Sequence, residues 1–483
     1  MARTLFGTDG IRGLAGQSPL DPKTAQAVGA ALGRWVTESK QDRPSETGQV
    51  VIGQVVVGQV VVGQVVIGQV VIGMDTRESG PWLAAEVAAG LAKHQVKVEF
   101  AGVTTTPGVA YLAKNRPFAA GVMISASHNP YQDNGIKLIG HAGYKLPDEQ
   151  EESLEKEIFA LLDQGAYSPP APLAVNTGLD RTYIDHLAAT LPGRLDGMRI
   201  VADCANGSAS SLAPELFERL GAQVHCIHCS PNGRNINLNC GSLHLEVLQA
   251  AMLEKKADVG VAFDGDADRA LFVARSGKIV DGDAVLFLTS CYLKEHGQLT
   301  VDGHPPIVVA TVMSNLGLER ALCAHGIAMI RTPVGDKYVL EEMLRRGAVL
   351  GGEQSGHIIF RRYATTGDGM LTALRVFEVM RESGAGLDEL TKEIQIYPQR
   401  LVNVRIKERK RLEDVPSVAA EIRAAEAAFG DSGRVLVRFS GTEPLARVMV
   451  EGPELNQVDS FANRIASQIR AELGADDSTP ASH

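Results

Sequence analysis

Apolar and polar positions alternate along the chain in patterns that predict strands and helices in turn. Helical spacing marks residues 25–36 and 81–94, and the second segment begins at Pro81, which fits the first turn of a helix. Short apolar runs predict strands at 198–204 and 223–228, with a helical pattern at 212–220 between them. A strand, a helix and a second strand imply parallel pairing through a right-handed crossover.

The pattern changes near residue 395. Before it, strands are predicted at 258–263, 270–274, 306–310 and 328–331, with a helix from Leu316. After it come a strand (401–406), a helix (415–429), two strands (434–439 and 446–451) and a final helix (458–473). The sequence therefore predicts an α/β fold with three α/β domains (1–178, 179–283 and 284–396) and a C-terminal α+β domain (397–483).

Charge and cysteine content argue against some classes of partner and favour one kind of compartment. The 483 residues carry 47 Lys+Arg against 57 Asp+Glu, a formal net charge of −10. This acidic balance argues against nucleic acid or an anionic membrane as the main partner, although a local basic cluster still permits an anionic substrate. The 6 Cys are too few for a disulfide scaffold and favour a reduced, cytoplasmic compartment. Cys226 and Cys229 lie beside two histidines without a second pair, so buried thiols are the preferred interpretation over zinc.

Residues 48–72 repeat the unit Gly-Gln-Val-Val-(Ile/Val) in tandem. The stretch is uncharged and long enough to suggest a membrane span. Val and Gly disfavour the helix that a span requires, and glutamines at every fifth position would face lipid on all sides. Val-Val-Ile favours strand, but an odd period reverses the buried face at each copy. We therefore predict one strand with surplus copies.

An acidic loop between two predicted strands carries the strongest chemical signal. Asp264, Asp266 and Asp268 alternate along it, so three carboxylates can converge on one hard cation. An EF-hand is excluded, because Arg269 and Arg275 occupy the positions that require Gly and Glu. Three protein oxygens leave coordination positions for a phosphate, which suits Mg²⁺. The alternative is a solvated acidic turn.

Other loops offer polar groups to a phosphorylated ligand. Ser127 and His128 follow an apolar strand, where a hydroxyl can act as a nucleophile; the alternative is an ordinary capped turn. Segment 438–447 combines hydroxyls, a glycine and two arginines, as a phosphate cradle does, or is a plain hairpin with surface arginines. Segment 351–357 places Glu and Ser between glycines, a weaker signal for sugar hydroxyls. Segment 7–13 places Arg12 in a Gly-rich loop.

Together, these loops resemble the α-D-phosphohexomutase superfamily. The segments Ile-Ser-Ala-Ser-His-Asn-Pro (124–130) and Asp-Asn-Gly-Ile-Lys (133–137) are highly specific for it. Similar segments at 4–13, 311–317, 366–369 and 440–449 extend the resemblance over nearly the whole chain. Gly-Glu-Gln-Ser-Gly-His (352–357) resembles the corresponding segment in the branch that acts on glucosamine phosphate. The resemblance implies four domains around a central active-site cleft.

The resemblance also implies roles for individual residues. Ser127 would be the phosphoserine, and the catalytic group around it would be Arg12, His128, Lys137 and Arg269. The metal ligands would be Ser127, Asp264, Asp266 and Asp268, with one Mg²⁺ per active site. Glu353, Ser355 and His357 would bind the sugar, and Arg438, Ser440, Gly441, Thr442 and Arg447 the phosphate that does not react.

The implied activity interconverts glucosamine 6-phosphate and glucosamine 1-phosphate through a 1,6-bisphosphate, which is both intermediate and activator. The alternatives are a mutase for mannose or glucose phosphate, a phosphatase, and a silent sugar-phosphate binding protein. The expected partner is a small sugar phosphate, without nucleic acid or membrane; a homodimer is possible. Two departures from the family pattern are Met74, where a basic residue is usual, and the repeat.

Overall fold

The computed structural model describes residues 4–7, 9–38, 68–165, 167–300, 305–440 and 444–474. These form two compact units. The first combines Met1–Val312 with Ile330–Thr391, and the second combines Met313–Met329 with Lys392–His483. The three α/β sheets that the sequence predicts lie chiefly in the first unit, and the α+β elements lie in the second.

The first sheet carries the repeat and the serine loop. Its elements are β1 (Ile11–Leu14), α1 (Pro22–Glu38), β2 (Gln69–Met74), α2 (Gly80–Ala92), β3 (Lys97–Val103), α3 (Thr106–Asn115), β4 (Ala120–Ile124), β5 (Asp133–Gly140) and α4 (Asp148–Gln164). The strand order is β1-β5-β4-β2-β3, with β2 parallel to both β3 and β4. Val70 and Ile72 pack in the core with α1 and α2, whereas Val71 packs with α3 on the opposite face. The sheet is therefore covered on both sides, as an apolar parallel strand requires.

The fifth copy of the repeat supplies strand β2. The other copies, at 48–67, lie outside the described residues. In the part of the chain that the structure describes, no helix is long and apolar enough to cross a bilayer. The prediction against a membrane span falls mainly on residues outside that part.

The second sheet carries the acidic loop. Its elements are α5 (Gly178–Thr190), β6 (Arg199–Asp203), α6 (Ala209–Arg219), β7 (Gln223–Ile227), α7 (Glu246–Lys255), β8 (Val259–Phe263), β9 (Ala270–Ala274) and β10 (Ile279–Val280). The strand order is β10-β9-β8-β6-β7, and β6 pairs with β7 in parallel, as the predicted βαβ unit requires. Strand β8 is buried along its whole length.

The third sheet carries the Gly-rich loop. The elements of this part of the chain are α8 (Gly282–Glu295), β11 (Ile307–Thr311), α9 (Leu316–Ala324), β12 (Ala328–Thr332), α10 (Asp336–Arg346), β13 (Leu350–Gly352), β14 (Ile358–Phe360), α11 (Gly369–Ser383) and α12 (Leu387–Leu390). The strand order is β12-β11-β13-β14. Helix α9 belongs to the second unit.

The second unit has an antiparallel sheet and its own core. Its remaining elements are β15 (Gln399–Arg405), α13 (Pro416–Phe429), β16 (Arg434–Phe439), β17 (Leu445–Glu451) and α14 (Leu455–Leu473), with strand order β15-β17-β16. One apolar cluster joins this sheet to α13 and α14. The predicted α/β fold class is thus confirmed.

Candidate active site

Ser127 lies in a tight turn just after the buried strand β4. The residue is 1% exposed and its backbone is left-handed, with φ of 52°. Its amide donates to Ser125 Oγ at 2.9 Å. Its own hydroxyl donates to Asp264 Oδ2 at 2.6 Å. The turn therefore directs the Ser127 hydroxyl at the acidic loop.

The acidic loop brings three carboxylates together between β8 and β9. One oxygen from each of Asp264, Asp266 and Asp268 lies within 4.8 Å of the others, and all three residues are buried. Burial and the two neighbouring carboxylates raise the pKa of Asp264 well above its usual range. Gly265 makes the close approach to the serine turn possible, because a Cβ there would lie 2.4 Å from the carbonyl oxygen of Ser127.

The donor set of this loop fits a hard divalent cation. Within the described residues, Asp266 Oδ1 and Asp268 Oδ1 are buried and accept no hydrogen bond. Buried carboxylate oxygens without donors are costly, and like charges at this spacing repel each other. Three oxygens with room for further ligands match the preference of Mg²⁺. These three aspartates are therefore the residues that would hold the ion.

Backbone contacts from three parts of the first unit fix the acidic loop. The amide of Thr106 donates to the carbonyl of Asp266 at 3.1 Å, that of Ser208 to Gly265 at 2.8 Å, and that of Gly369 to Ala267 at 2.9 Å. The donors are located at the start of α3, just before α6 and at the start of α11. Main-chain donors near each of the three sheets therefore position the acidic loop, which is not held by its own sequence alone.

Lys137 is held as a cation beside the acidic loop. Its Nζ lies 2.8 Å from Asp266 Oδ2 and 2.9 Å from Asp9 Oδ2. Burial would lower the pKa of Lys137, but these carboxylates outweigh it and raise the pKa above its usual value. Asp9 also pairs with Arg12 and Lys145. Although burial opposes its ionisation, the three cations hold the pKa of Asp9 well below its usual range.

The pKa of His128 is shifted in the direction that favours the uncharged side chain, unlike that of Lys137. Burial, together with the charges of Arg269 and Arg12, lowers the pKa of His128 to about 4. Its Nδ1 lies 3.4 Å from Ser127 Oγ. The imidazole is therefore neutral at physiological pH and can accept a proton. A group that accepts a proton at physiological pH must be uncharged there, and His128 meets this condition whereas Lys137, with its raised pKa, does not.

The predicted sugar loop is the turn between β13 and β14. Glu353 Oε1 accepts the amide of Gly335 at 3.1 Å, and Ser355 is exposed. Gln354 Nε2 instead donates to Asp281 Oδ2 at 3.2 Å, and Asp281 caps the N-terminus of α8. The amide of Gln354 thus supports the loop from within the protein.

His357, at the end of the same loop, packs against the acidic loop. Its Nδ1 lies 3.6 Å from Asp268 Oδ1, and its Nε2 accepts the amide of Gly367 at 2.9 Å. Although burial opposes protonation, Asp268 and Asp336 raise the pKa of His357 to about 9. The contact from Gly367 requires an unprotonated Nε2, and therefore a neutral ring with its proton on Nδ1, facing Asp268; protonation of His357 breaks this contact. His357 therefore links the sugar loop to the candidate metal ligands.

The predicted phosphate loop lies in the second unit, between β16 and β17. Arg438 and Arg447 are directly opposite each other in the paired strands. Burial and the charge of Arg447 lower the pKa of Arg438. Like charges in this position repel, and an anion between them relieves the repulsion. Ser440 follows β16 and is 3% exposed; Gly441 and Thr442 lie outside the described residues.

A second cluster of metal-binding residue types has a structural explanation. Asp203, His228 and Cys240 place their side-chain ligand atoms within 4.8 Å of one another. Asp203 already accepts the amides of Ala205 and Gly241 and the Nδ1 of His228, at 2.9–3.1 Å. Its carboxylate therefore has donors without a metal. All six cysteines are free thiols, but Cys226 and Cys229 are half-buried and not fully buried as expected.

Sequence reasoning missed Asp9, Lys145 and Asp336. Asp9 lies in the Gly-rich segment that drew attention to Arg12, so its proximity was a usable signal. Lys145 Nζ lies 2.6 Å from Asp336 Oδ2, across 191 positions of the sequence. No local pattern marks such a pair, because only the tertiary fold brings it together.

Comparison with known proteins assigns each part of the chain to one group. Four family models match in order: the phosphoglucomutase/phosphomannomutase alpha/beta/alpha domain I (residues 3–54 and 56–164), domain II (181–277), domain III (281–397) and C-terminal domain (401–468). Together they account for most of the chain.

Relatives of known name match over nearly the full length. The phosphoglucosamine mutase of Solibacter usitatus is 58% identical over 474 residues, which cover 98% of this chain and 100% of that one. The phosphoglucosamine mutase of Koribacter versatilis is 46% identical over 481 residues, 98% of each chain.

Solved structures show the same fold at lower identity. A phosphoglucomutase/phosphomannomutase family protein of Burkholderia thailandensis has a TM-score of 0.75 at 23% identity, with 97% of each chain covered. The N-acetylphosphoglucosamine mutase of Aspergillus fumigatus, in complex with GlcNAc-6P and magnesium, has a TM-score of 0.61 at 19% identity and covers 97% of this chain and 96% of its own.

Proposed function

The chain belongs to the phosphoglucomutase/phosphomannomutase family, in its phosphoglucosamine mutase branch, and on this premise we propose that it interconverts glucosamine 6-phosphate and glucosamine 1-phosphate. The observation that carries this proposal is the Ser127 hydroxyl, which is 2.6 Å from a carboxylate of the buried aspartate triad. Phosphoryl transfer depends on positioning and charge neutralisation more than on covalent chemistry. The buried aspartate triad, which contacts the Ser127 hydroxyl through Asp264 and the Lys137 ammonium through Asp266, supplies both.

The reaction consists of two transfers through one serine. Ser127 carries the phosphoryl group; its Oγ–P bond breaks as a bond forms from phosphorus to the C1 hydroxyl oxygen of glucosamine 6-phosphate. The hydroxyl proton leaves, and the product is glucosamine 1,6-bisphosphate. The bisphosphate turns over in the site, and its C6 phosphoryl group returns to Ser127, leaving glucosamine 1-phosphate. The bisphosphate is therefore both intermediate and activator.

Neighbouring side chains have separate roles in this scheme. Mg²⁺ held by Asp264, Asp266 and Asp268 would neutralise the charge on the transferring group. The Lys137 ammonium stays protonated beside Asp266 and adds a fixed positive charge. The neutral His128 imidazole, 3.4 Å from Ser127 Oγ, can take up and return a proton.

Arginines and loop residues would bind the remaining parts of the sugar phosphate. Arg12 and Arg269 complete the positive surroundings of the reacting phosphate. Glu353, Ser355 and His357 are assigned to the sugar. The phosphate that does not react is assigned to the loop of the second unit, with Arg438, Ser440, Gly441, Thr442 and Arg447. The facing arginines of that loop support an anion site.

The product suits a biosynthetic role. Glucosamine 1-phosphate is the activated form that leads to UDP-N-acetylglucosamine and cell-wall precursors, and we place the enzyme in the cytoplasm, in keeping with its free thiols. A homodimer stays a prediction.

Replacing Ser127 tests the proposal. Ser127→Ala should reduce conversion of glucosamine 6-phosphate by at least about a thousand-fold, as loss of a nucleophile does elsewhere. Ser125 is a poor substitute, because its Oγ already accepts the amide of residue 127. Turnover is measured with and without Mg²⁺, with near-ultraviolet circular dichroism to check the fold. Normal turnover by the alanine variant refutes the phosphoserine assignment; inorganic phosphate released in proportion to substrate identifies a phosphatase instead.

A further inference from the structure

The main-chain carbonyls of the serine turn receive side-chain donors from two separate segments. Arg77 Nη2 donates to the carbonyl oxygen of Ser127 at 3.1 Å and to that of Asn129 at 2.6 Å. Asn237 Nδ2 donates to the same two oxygens, at 2.9 and 3.0 Å. Arg77 follows β2, whereas Asn237 lies in the long loop after β7.

These contacts from Arg77 and Asn237 lie at a point where the backbone of the turn is strained. A left-handed φ at Ser127 costs free energy, because the Cβ of a non-glycine residue crowds the following carbonyl oxygen. Donors that fix this carbonyl oxygen stabilise the strained peptide. The same peptide sets the direction of the Cα–Cβ bond and hence the position of Oγ beside Asp264.

Both donors are themselves held in place. The guanidinium of Arg77 is fully buried and pairs with Asp75. The backbone of Asn237 is left-handed, with φ of 57°, and its amide donates to the carbonyl of Ala205 at 2.9 Å. The amide group of Asn237 therefore contacts the serine turn from a constrained loop. The loop limits how far Asn237 can move if Ser127 is displaced.

We propose that Asn237 is a positioning residue that, with Arg77, clamps the carbonyls of the serine turn and thereby aligns Ser127 Oγ for phosphoryl transfer. This inference rests on the proposed function for its kinetic consequence. Arg77 and Asn237 contact main-chain oxygens of the turn and are not among the residues assigned to the substrate, so loss of the clamp should lower kcat and leave KM nearly unchanged. A displacement of the reacting oxygen by about 1 Å can lower the rate about a hundred-fold.

Asn237→Asp is the sharpest test. It keeps the shape and the left-handed preference of the residue, but it replaces the donating amide with oxygens that repel both carbonyls. Asn239→Asp is the matched control, because Asn239 is exposed, belongs to the same loop and also has a left-handed φ, of 52°. Asn237→Gly and Asn239→Gly repeat the comparison without a new charge and cover the case in which N237D does not fold.

The expected result is a kcat at least about ten-fold lower in N237D and N237G than in the two controls, with KM within about two-fold and a cooperative melting transition above the assay temperature in every variant. Hydrogen exchange of the peptide 124–131 should be faster in the Asn237 variants, a result independent of the substrate. If the unaltered protein does not convert glucosamine 6-phosphate, the proposed function fails and exchange alone decides the clamp. Equal kcat values, or equal exchange rates, in the Asn237 and Asn239 variants overturn the clamp.

Discussion

At the scale of single residues, the site is governed by charges that are buried close together. Asp266 illustrates this, because one of its oxygens contacts the Lys137 ammonium at 2.8 Å and the other accepts no hydrogen bond within the described residues. One carboxylate thus holds a cation of the protein and offers an oxygen to a cation from solution. Asp266 therefore links the proposed metal site to the fixed positive charge of Lys137.

Asp266→Asn should weaken Mg²⁺ binding by at least about ten-fold, because it removes one of three negative ligands. Calorimetric titration of the unphosphorylated protein with Mg²⁺ measures the effect. Asp163→Asn, at an exposed position, is the control. An unchanged affinity for Mg²⁺ in the Asp266 variant would show that the triad is not the metal site.

Asp368 predicts a pH dependence of stability. It caps α11 and accepts the Tyr183 hydroxyl at 2.7 Å. Burial nevertheless raises its pKa to about 6. The folded state therefore binds this proton more tightly than the unfolded state does, and the stabilisation is present below about pH 4 and lost as the pH rises through about 6.

Asp368→Asn should accordingly match the unaltered protein near pH 4 and exceed it at pH 7 by up to about 2–3 kcal/mol. The asparagine keeps one oxygen for the helix cap, and its Nδ2 can donate to the Tyr183 hydroxyl oxygen in place of the hydrogen bond that Asp368 Oδ2 accepts. Melting temperatures of metal-free protein at several pH values provide the test. A difference between the two proteins that does not vary from pH 4 to pH 7 would contradict the prediction.

At the scale of elements, the turn between β13 and β14, which is the proposed sugar loop, is held in shape by contacts with other elements. Glycines allow the close packing of this turn: a Cβ on Gly356 would lie 2.4 Å from the carbonyl oxygen of Ala270. Gln354 does not extend into free space but holds the cap of α8 through Asp281. An effect of Gln354 on sugar preference would therefore be transmitted through the shape of the loop.

Gln354→Met removes the amide donor at similar volume. It should change the ratio of kcat/KM for glucosamine 6-phosphate to that for glucose 6-phosphate more than it changes turnover of glucose 6-phosphate itself. A change of about three-fold or more is expected, in line with the loss of one hydrogen bond to a charged acceptor. Gln298→Met, at an exposed position after α8, is the control. If the ratio is unchanged, sugar preference is determined at other positions.

At the scale of the whole molecule, the sequence predicted elements and local loops well, and missed contacts between distant segments. The acidic loop and the serine turn were predictable because their residues are neighbours in sequence and follow apolar strands. The resemblance to the phosphohexomutases is confirmed by the full-length relatives. The pairing of Lys145 with Asp336 and the contact of Asn237 with Ser127 were not predictable, because the fold alone determines them.

The repeat is the feature in which local sequence and global fold conflict most. Its five copies are nearly identical, so each has the same local tendency to form strand β2. The residues after the repeat resolve this degeneracy. The amide of Asp75 donates to the carbonyl of Ile124 at 3.0 Å, and Asp75 also pairs with the buried Arg77. These contacts anchor the end of β2, so the copy adjacent to them enters the sheet.

Deletion of residues 48–67 should therefore leave the fold and the turnover of the protein unchanged. It removes four copies and leaves Gly68–Ile72, which provide all the pairing of β2 with β3 and β4 before Gly73. Because loop-closure entropy grows only logarithmically with length, the shorter connection should leave the melting temperature equal or higher. Solubility should rise, because Val-rich uncharged segments promote edge pairing and aggregation. Turnover, melting temperature and light scattering of the two proteins test this, and a deleted protein that is unfolded or inactive would show that the surplus copies belong to the core.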